Sequence, residues 1–290
     1  MRRLLLCVLS VLSLVAVAGC EFRTMVPEGE APMRYRDEVF SEVTRTNGIT
    51  YGSSVRQDGT TMTLQLDVYQ PTGDTVGARP LIIFVHGGSF RSGNRTSSEI
   101  VDEANTFARK GYVTASISYR LSANGCTSIT LECITAIQHA REDGQAAVRF
   151  FRRYAVTYGI DTGRIAMAGT SAGAITAVEV GYGPEEVGTS GNPGYSSKVS
   201  SAVSLSGARI LTKPARGEAN VLLFHGTSDV VVPYQWAVDT KAEADAADAH
   251  AELVSWEGAG HVPYATYRQQ ILDETTNFLW WTLNLKNAAA

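Results

Sequence analysis

The hydrophobic positions of the chain fall into two regimes. Between residues 49 and 69 they alternate. Met62, Leu64, Leu66 and Val68 share one face, and Asp58-Gly59 interrupts the run, so a hairpin with strands over 49–56 and 61–69 is expected. From residue 81 onward short unbroken apolar runs take over. The first is Leu81-Ile82-Ile83-Phe84-Val85, the pattern of a strand covered on both faces, as in parallel sheets. Further strands are expected over 112–119, 164–168, 199–205, 221–224 and 250–256. Between them lie segments of helical period over 97–110, 135–158, 171–180, 233–247 and 266–283. Gly111 and Gly159 stand where the first two would end. This alternation predicts an α/β fold of about eight strands, mostly parallel, with helices on both faces and the hairpin at an antiparallel edge. The Gly-, Ser- and Pro-rich stretch 181–197 reads either as an ordinary surface connection or as a lid over a site.

The first residues follow a different rule. Arg2 and Arg3 precede an uncharged, mostly apolar run over 4–17 that is too short to span a bilayer. Residues 1–19 therefore read as a signal peptide. Val17-Ala18-Gly19-Cys20 resembles a bacterial lipobox. That resemblance implies acylation of Cys20 and an exported, membrane-anchored lipoprotein on the periplasmic or extracellular face. The plainer alternative is an ordinary signal peptide, a secreted product and an incidental Cys20. Residues 20–45 open with a polar stretch containing Gly and Pro and are expected to form a tether. One domain is expected over 46–290.

Composition narrows the field. The chain is 44% hydrophobic and 19% charged, ordinary for a globular domain, and its 290 residues can bury a sizeable core without a disulfide framework. With a net charge of −4 and no basic stripe, nucleic acid is not an expected partner. Cys7 leaves with the signal and Cys20 is the acylation candidate, so Cys126 and Cys133 remain. An exported chain meets an oxidising compartment, and a local disulfide is expected over two free thiols. Two Cys without His at ligand spacing predict no metal site.

Four segments carry chemistry. Gly169-Thr170-Ser171-Ala172-Gly173 follows an apolar strand and opens a helix. A nucleophile on a sharp strand-to-helix turn needs small neighbours, and the helix start favours developing negative charge. His86-Gly87-Gly88-Ser89-Phe90 follows the 81–85 strand, where paired glycines let main-chain N–H groups approach a substrate oxygen. His86 itself is expected to hold this loop rather than act as a base. His225-Gly226-Thr227-Ser228-Asp229 places a carboxylate at a strand's C-terminal end. Gly258-Ala259-Gly260-His261 places an imidazole in a small-residue loop before the last helix. Tyr234, Trp236 and Tyr264 flank these last two segments, as pocket lining or, for Trp236 above all, as core.

From about residue 60 to 283 the chain resembles the α/β-hydrolase superfamily, and within it the bacterial carboxylesterases with an H-G-G-x-F segment. The resemblance implies an α/β-hydrolase fold and a catalytic domain over 46–290. It places the nucleophile at Ser171, the acid at Asp229, the base at His261 and the oxyanion donors at the N–H groups of Gly88, Ser89 and Ala172. It implies no cofactor and a small or medium carboxylic ester as substrate, and export points to an extracellular or periplasmic ester such as an acylated sugar, an aromatic plant ester or a xenobiotic. The sequence departs from its relatives at Ser89, where a third glycine is common, and at Thr170, where one branch carries Asp. Two other readings stay open: a serine peptidase like prolyl oligopeptidase, and a non-catalytic surface-anchored binding protein on a hydrolase fold.

Overall fold

The computed structural model describes residues 24–288. The expected hairpin is β1 (Val43–Val55) and β2 (Thr61–Pro71), antiparallel about a turn in which the Asp58 carboxylate accepts the Thr60 N–H and Gly59 takes φ 82°. A side chain at Gly59 would be strained by that backbone angle. The chain continues through β3 (Arg79–Val85), α1 (Ser98–Arg109), β4 (Val113–Ile117), α2 (Leu131–Arg153) and the single turn α3 (Ala155–Tyr158). It closes with β5 (Ile160–Thr170), α4 (Ala172–Gly181), β6 (Ser201–Leu205), β7 (Asn220–Gly226), α5 (Tyr234–Ala246), β8 (Ala251–Trp256) and α6 (Tyr264–Thr282).

Among the described residues the eight strands make one sheet in the order β1-β2-β4-β3-β5-β6-β7-β8, with β2 antiparallel to both β1 and β4 and every other neighbouring pair parallel. The run at 81–85 explains why the sheet is covered twice. Leu81, Ile83 and Val85 join the core beneath α2 and α4, while Ile82 and Phe84 join the core beneath α1 and α6. Each such fully buried side chain stabilises the fold by roughly 1.5–3 kcal/mol. In parallel strand–helix units every β-to-α loop emerges at the strands' C-terminal edge. The segments after β3, β5, β7 and β8 therefore meet there.

Two expectations are corrected, and the 181–197 stretch takes the plainer of its two readings. The tether over 20–45 is not free from Thr24 onward. Tyr35 is fully buried and edge-on to Tyr112, and its N–H donates to the Lys110 carbonyl. Arg34 pairs with Asp74, and β1 already begins at Val43. A buried tyrosine and main-chain pairing outweigh the polar composition of this stretch. The helix expected over 135–158 starts earlier, where the Thr130 hydroxyl caps the Cys133 N–H, and it breaks at Tyr154. The 181–197 connection leaves α4 and returns to the start of β6, so both its ends lie at the edge opposite the elbow. The Arg149 guanidinium holds the carbonyls of Glu186, Val187 and Gly191, and Ser190 donates to the buried Asp143. It is a pinned connection.

Candidate active site

The strand-to-helix junction at Ser171 is built from close contact. Ser171 has φ 52° and ψ −116°, and its N–H donates to the Leu205 carbonyl on β6. A bulky side chain has no room on either side. A Cβ on Gly169 would meet the Gly173 carbonyl carbon at 2.4 Å, and one on Gly173 would meet the Val85 oxygen at 2.0 Å. The two glycines let β5 turn at once into α4 with Ser171 raised at the corner.

The structure brings Ser171, His261 and Asp229 together. Ser171 Oγ lies 2.8 Å from His261 Nε2, and His261 Nδ1 lies 2.7 Å from Asp229 Oδ2. Asp229 is an acceptor in this pair, so Nδ1 carries the proton and Nε2 is left bare to accept the serine hydroxyl. Asp229 is held in turn. Its Oδ1 accepts the N–H groups of Val231 and Val232 at 2.9 and 3.0 Å. The loops of acid and base are stitched to each other as well. Ser228 N–H donates to the Ala259 carbonyl and Gly258 N–H to the Thr227 hydroxyl.

His225 also faces Asp229. Its Nε2 lies 2.9 Å from the Val232 carbonyl and 3.2 Å from Asp229 Oδ2. Both neighbours are acceptors, so Nε2 bears the hydrogen. Burial lowers its pKa below the ordinary histidine value, against the smaller raising effects of those two contacts. The histidine four residues before an aspartate was the available signal for this contact. The amides of Val231 and Val232 left no signal, because main-chain donors have no residue signature.

The H-G-G segment forms a turn beside the elbow. Gly88, Ser89 and Phe90 all have positive φ (107°, 52° and 57°), and Gly87 packs so closely that a Cβ there would lie 3.2 Å from Ser171 Cβ. The carbonyls of Gly88 and Ser89 are engaged, by Arg91 and Ser92 and by Cys126. The N–H groups of Gly88 and Ser89 have no acceptor among the described residues, and Ala172 N–H opens α4 ahead of its intrahelical ladder. His86 points away from Ser171 chemistry. It is buried, stacks on Tyr119 at 4.4 Å and bonds the Gly87 carbonyl through Nδ1. Burial pushes its pKa down to about 4.

Of the three aromatic residues flanking the acid and base, Tyr234 bonds Ser255, and Tyr264 donates to Asp102, which Arg268 also grips. Trp236 lines a cleft of about 300 Å³ with Ile129, Arg209, Ile210 and Asp239. Ile129 precedes α2, Arg209 follows β6 and Trp236 opens α5, so the cleft lies on the same edge of the sheet as Ser171. Cys126 and Cys133 are joined by a disulfide. Cys20 and residues 1–19 lie outside the described residues.

Comparison with known proteins agrees with this architecture. The BD-FAE family model matches residues 66–211, and the model described as TAP-like protein matches residues 199–282. A butyrate-bound esterase from Thermogutta terrifontis superposes with a TM-score of 0.65 at 22% identity, over 78% of this chain and 92% of the esterase. Esterase 2 of the same organism, phosphorylated by paraoxon, gives 0.64 at 24% identity over 79% and 94%. These likenesses are likenesses of fold. Neuroligin-like protein glit-1 of Caenorhabditis elegans is 26% identical over 197 residues, 64% of this chain, and the match spans only 25% of that longer protein.

Proposed function

The chain belongs to the BD-FAE family, and from that premise we propose that it is a serine carboxylic-ester hydrolase. The observation that carries the reading is the hydrogen-bonded line Ser171–His261–Asp229, with Gly87 of the H-G-G turn packed closely against Ser171.

Ser171 Oγ attacks the ester carbonyl carbon as its proton passes to His261 Nε2. Asp229 holds the imidazole in the Nδ1–H tautomer and stabilises the imidazolium that forms. The N–H groups of Gly88, Ser89 and Ala172 receive the oxyanion, where each such donor is commonly worth about 10²–10³ in kcat. The tetrahedral adduct collapses, His261 protonates the departing alkoxide, and the acyl group stays on Ser171. Water then attacks the acyl carbon as His261 takes its proton, the bond to Ser171 Oγ breaks as His261 returns the proton to that oxygen, and the carboxylic acid leaves. The chemistry asks for no metal or organic cofactor.

The substrate is a small or medium ester, with acylated carbohydrate in the same class. The butyrate bound in the Thermogutta fold neighbour is consistent with a short acyl group. The cleft beside Trp236, with Arg209 and Asp239 on its walls, has room for a ring or a sugar.

Turnover of p-nitrophenyl acetate and butyrate by Ser171→Ala tests the reading, with a fluorophosphonate probe read by mass spectrometry. The expected result is loss of at least about 10³-fold in kcat, with the probe on Ser171 of the parent. Retained turnover in the variant, or labelling elsewhere, overturns the assignment. A proline-containing peptide assayed in parallel should remain uncut; its cleavage would move the protein to the peptidases.

For placement in the cell, the lipobox-like Val17-Ala18-Gly19-Cys20 supports acylation at Cys20 and retention at a membrane. Cys20→Ser should move the protein from the membrane pellet to the soluble exported fraction. Unchanged retention would count against the anchor.

A further inference from the structure

The described chain starts far from the triad. Both the N–H and the hydroxyl of Thr24 donate to the Glu252 carboxylate, at 3.1 and 3.3 Å. Glu252 is buried and is the second residue of β8, so this contact sits at the strands' N-terminal edge. The C-terminal end of α6 reaches the same region, since the Trp281 indole N–H donates to the Met25 carbonyl at 2.7 Å. The opposite end of α6 begins at Tyr264, three residues after His261. A helix of 19 residues is roughly 28 Å long, and that length separates the Met25–Trp281 contact from the His261 loop.

The surface at this far end is apolar. Met25 is 66% exposed, Val26 68% and Trp281 47%. With Met33 and Trp280 they border a groove of about 470 Å³ that has Lys286 and Glu28 on its rim. A tryptophan with its N–H satisfied and its ring half in solvent suits the boundary between headgroups and acyl chains. Among the described residues no helix is long and apolar enough to cross a membrane. A lipid anchor together with an exposed apolar surface is one way for such a chain to sit on a bilayer.

Chain length decides between a loose leash and a fixed seat. Thr24 is already fastened to β8, and Cys20 lies only four residues before it. Fully extended, that stretch reaches at most ~14 Å. An acyl group on Cys20 would hold the Thr24 edge within that distance of the bilayer. We infer that the Met25–Val26–Trp281 face is a membrane-docking surface whose partner is the lipid bilayer. The sheet's N-terminal edge rests on the headgroups, and Ser171 opens away from them at about the length of α6. This inference rests on the proposed acylation of Cys20. It sets the substrate class: esters in solution, or on polymers reaching away from the membrane, and not the acyl esters of the bilayer beneath.

The experiment uses full-length acylated protein in vesicles of phosphatidylethanolamine and phosphatidylglycerol containing a headgroup-nitroxide lipid. A thiol-reactive fluorophore is placed in one variant at Val26→Cys and in another at Glu257→Cys, an exposed position beside the His261 loop. Sedimentation reads anchoring and quenching reads orientation. The expected result is protein in the vesicle pellet, several-fold stronger quenching at position 26 than at 257, and turnover of soluble p-nitrophenyl butyrate without release of fatty acid from the vesicles. Equal or reversed quenching in pelleted protein overturns the docked orientation and leaves the anchor standing, and vesicle-lipid hydrolysis overturns the substrate class. Protein that stays in the supernatant overturns anchor and docking together, including the case in which the acyl chain folds into the groove instead of the bilayer.

Discussion

The hydroxyl of Ser206 accepts the main-chain N–H of Val262 at 3.0 Å. Val262 directly follows His261 and sits at φ 47°, a conformation that a β-branched residue adopts only when its surroundings impose it. Ser206 is fixed at the end of β6, where its N–H donates to the Phe224 carbonyl. It thus holds His261 in place through the neighbouring amide. Ser206→Ala and Ser206→Gly should each lower kcat by roughly five- to tenfold with little change in KM, the scale of one hydrogen bond of about 1–1.5 kcal/mol. The glycine variant keeps the positive φ (58°) at no cost, so a matching loss in both assigns the effect to the hydroxyl. Full activity in the glycine variant would show that the backbone angle, not the hydroxyl, is what matters.

His225 supports the acid from the other side. Replacing it with Phe keeps a flat, slightly larger ring but strips a donor from the Val232 carbonyl and from Asp229 Oδ2. The expected kcat loss is about tenfold. The pH dependence should change in a defined direction. Burial depresses the folded-state pKa, so the unfolded chain takes up this proton first as pH falls. The associated stability is present above about pH 6.5 and is lost on acidification. Denaturant titrations of His225→Phe should therefore show a shallower decline from pH 7 to pH 5 than the parent. A parallel decline would mean that the histidine is already charged in the folded protein.

How much of this was legible in the sequence depends on the range of the interaction. The order and type of elements followed from local periodicity, because a doubly covered sheet writes its burial into short apolar runs such as 81–85. The segments around Ser171, Asp229 and His261 were legible because a tight elbow and crowded loops demand glycine at fixed offsets. Contacts made across the fold left no such mark. Tyr35 looks like any residue of a polar stretch until Tyr112 and Lys110 come against it. Arg120 reads as surface charge, yet it is buried against Asp143 and Glu142. Ser206 is one serine among many, and only the folded chain sets it beneath Val262.

The Cys126–Cys133 disulfide adjoins the oxyanion turn. Cys126 N–H donates to the Ser89 carbonyl and Ser122 N–H to the Phe90 carbonyl, both at 2.8 Å. The loop that the disulfide closes is therefore sewn to a candidate oxyanion donor. Replacing both cysteines with serine should cost about 2–3 kcal/mol from chain entropy, or roughly 4–12 °C in Tm for a domain of this size. Measured well below that Tm, kcat should also fall severalfold, because the Ser89 turn loses part of its backing. A lowered Tm with unchanged kcat would separate the disulfide from the site.

Glu103 contributes a loss of stability as pH rises toward 8. It lies buried on α1, and burial, reinforced by the charges of Glu99 and Asp102 and only weakly opposed by Arg268, raises its pKa from 4.5 to about 8. Between these values the folded chain holds a proton that the unfolded chain has released. This contribution is complete at low pH and is lost as pH rises toward 8. His86, lowered to about 4, works with the opposite sign below its ordinary 6.5. The two offset each other between about pH 4.5 and 6.5, and above that range Glu103 acts without this counterweight. The parent should lose on the order of 2 kcal/mol of unfolding free energy between pH 6.5 and 8. Glu103→Gln keeps the shape without the ionisation, so it should flatten this arm and exceed the parent's stability at pH 8, with the advantage gone at pH 4.5. Urea titrations at those three pH values decide the matter. An equal alkaline decline in parent and variant would mean that Glu103 is ionised in the folded state.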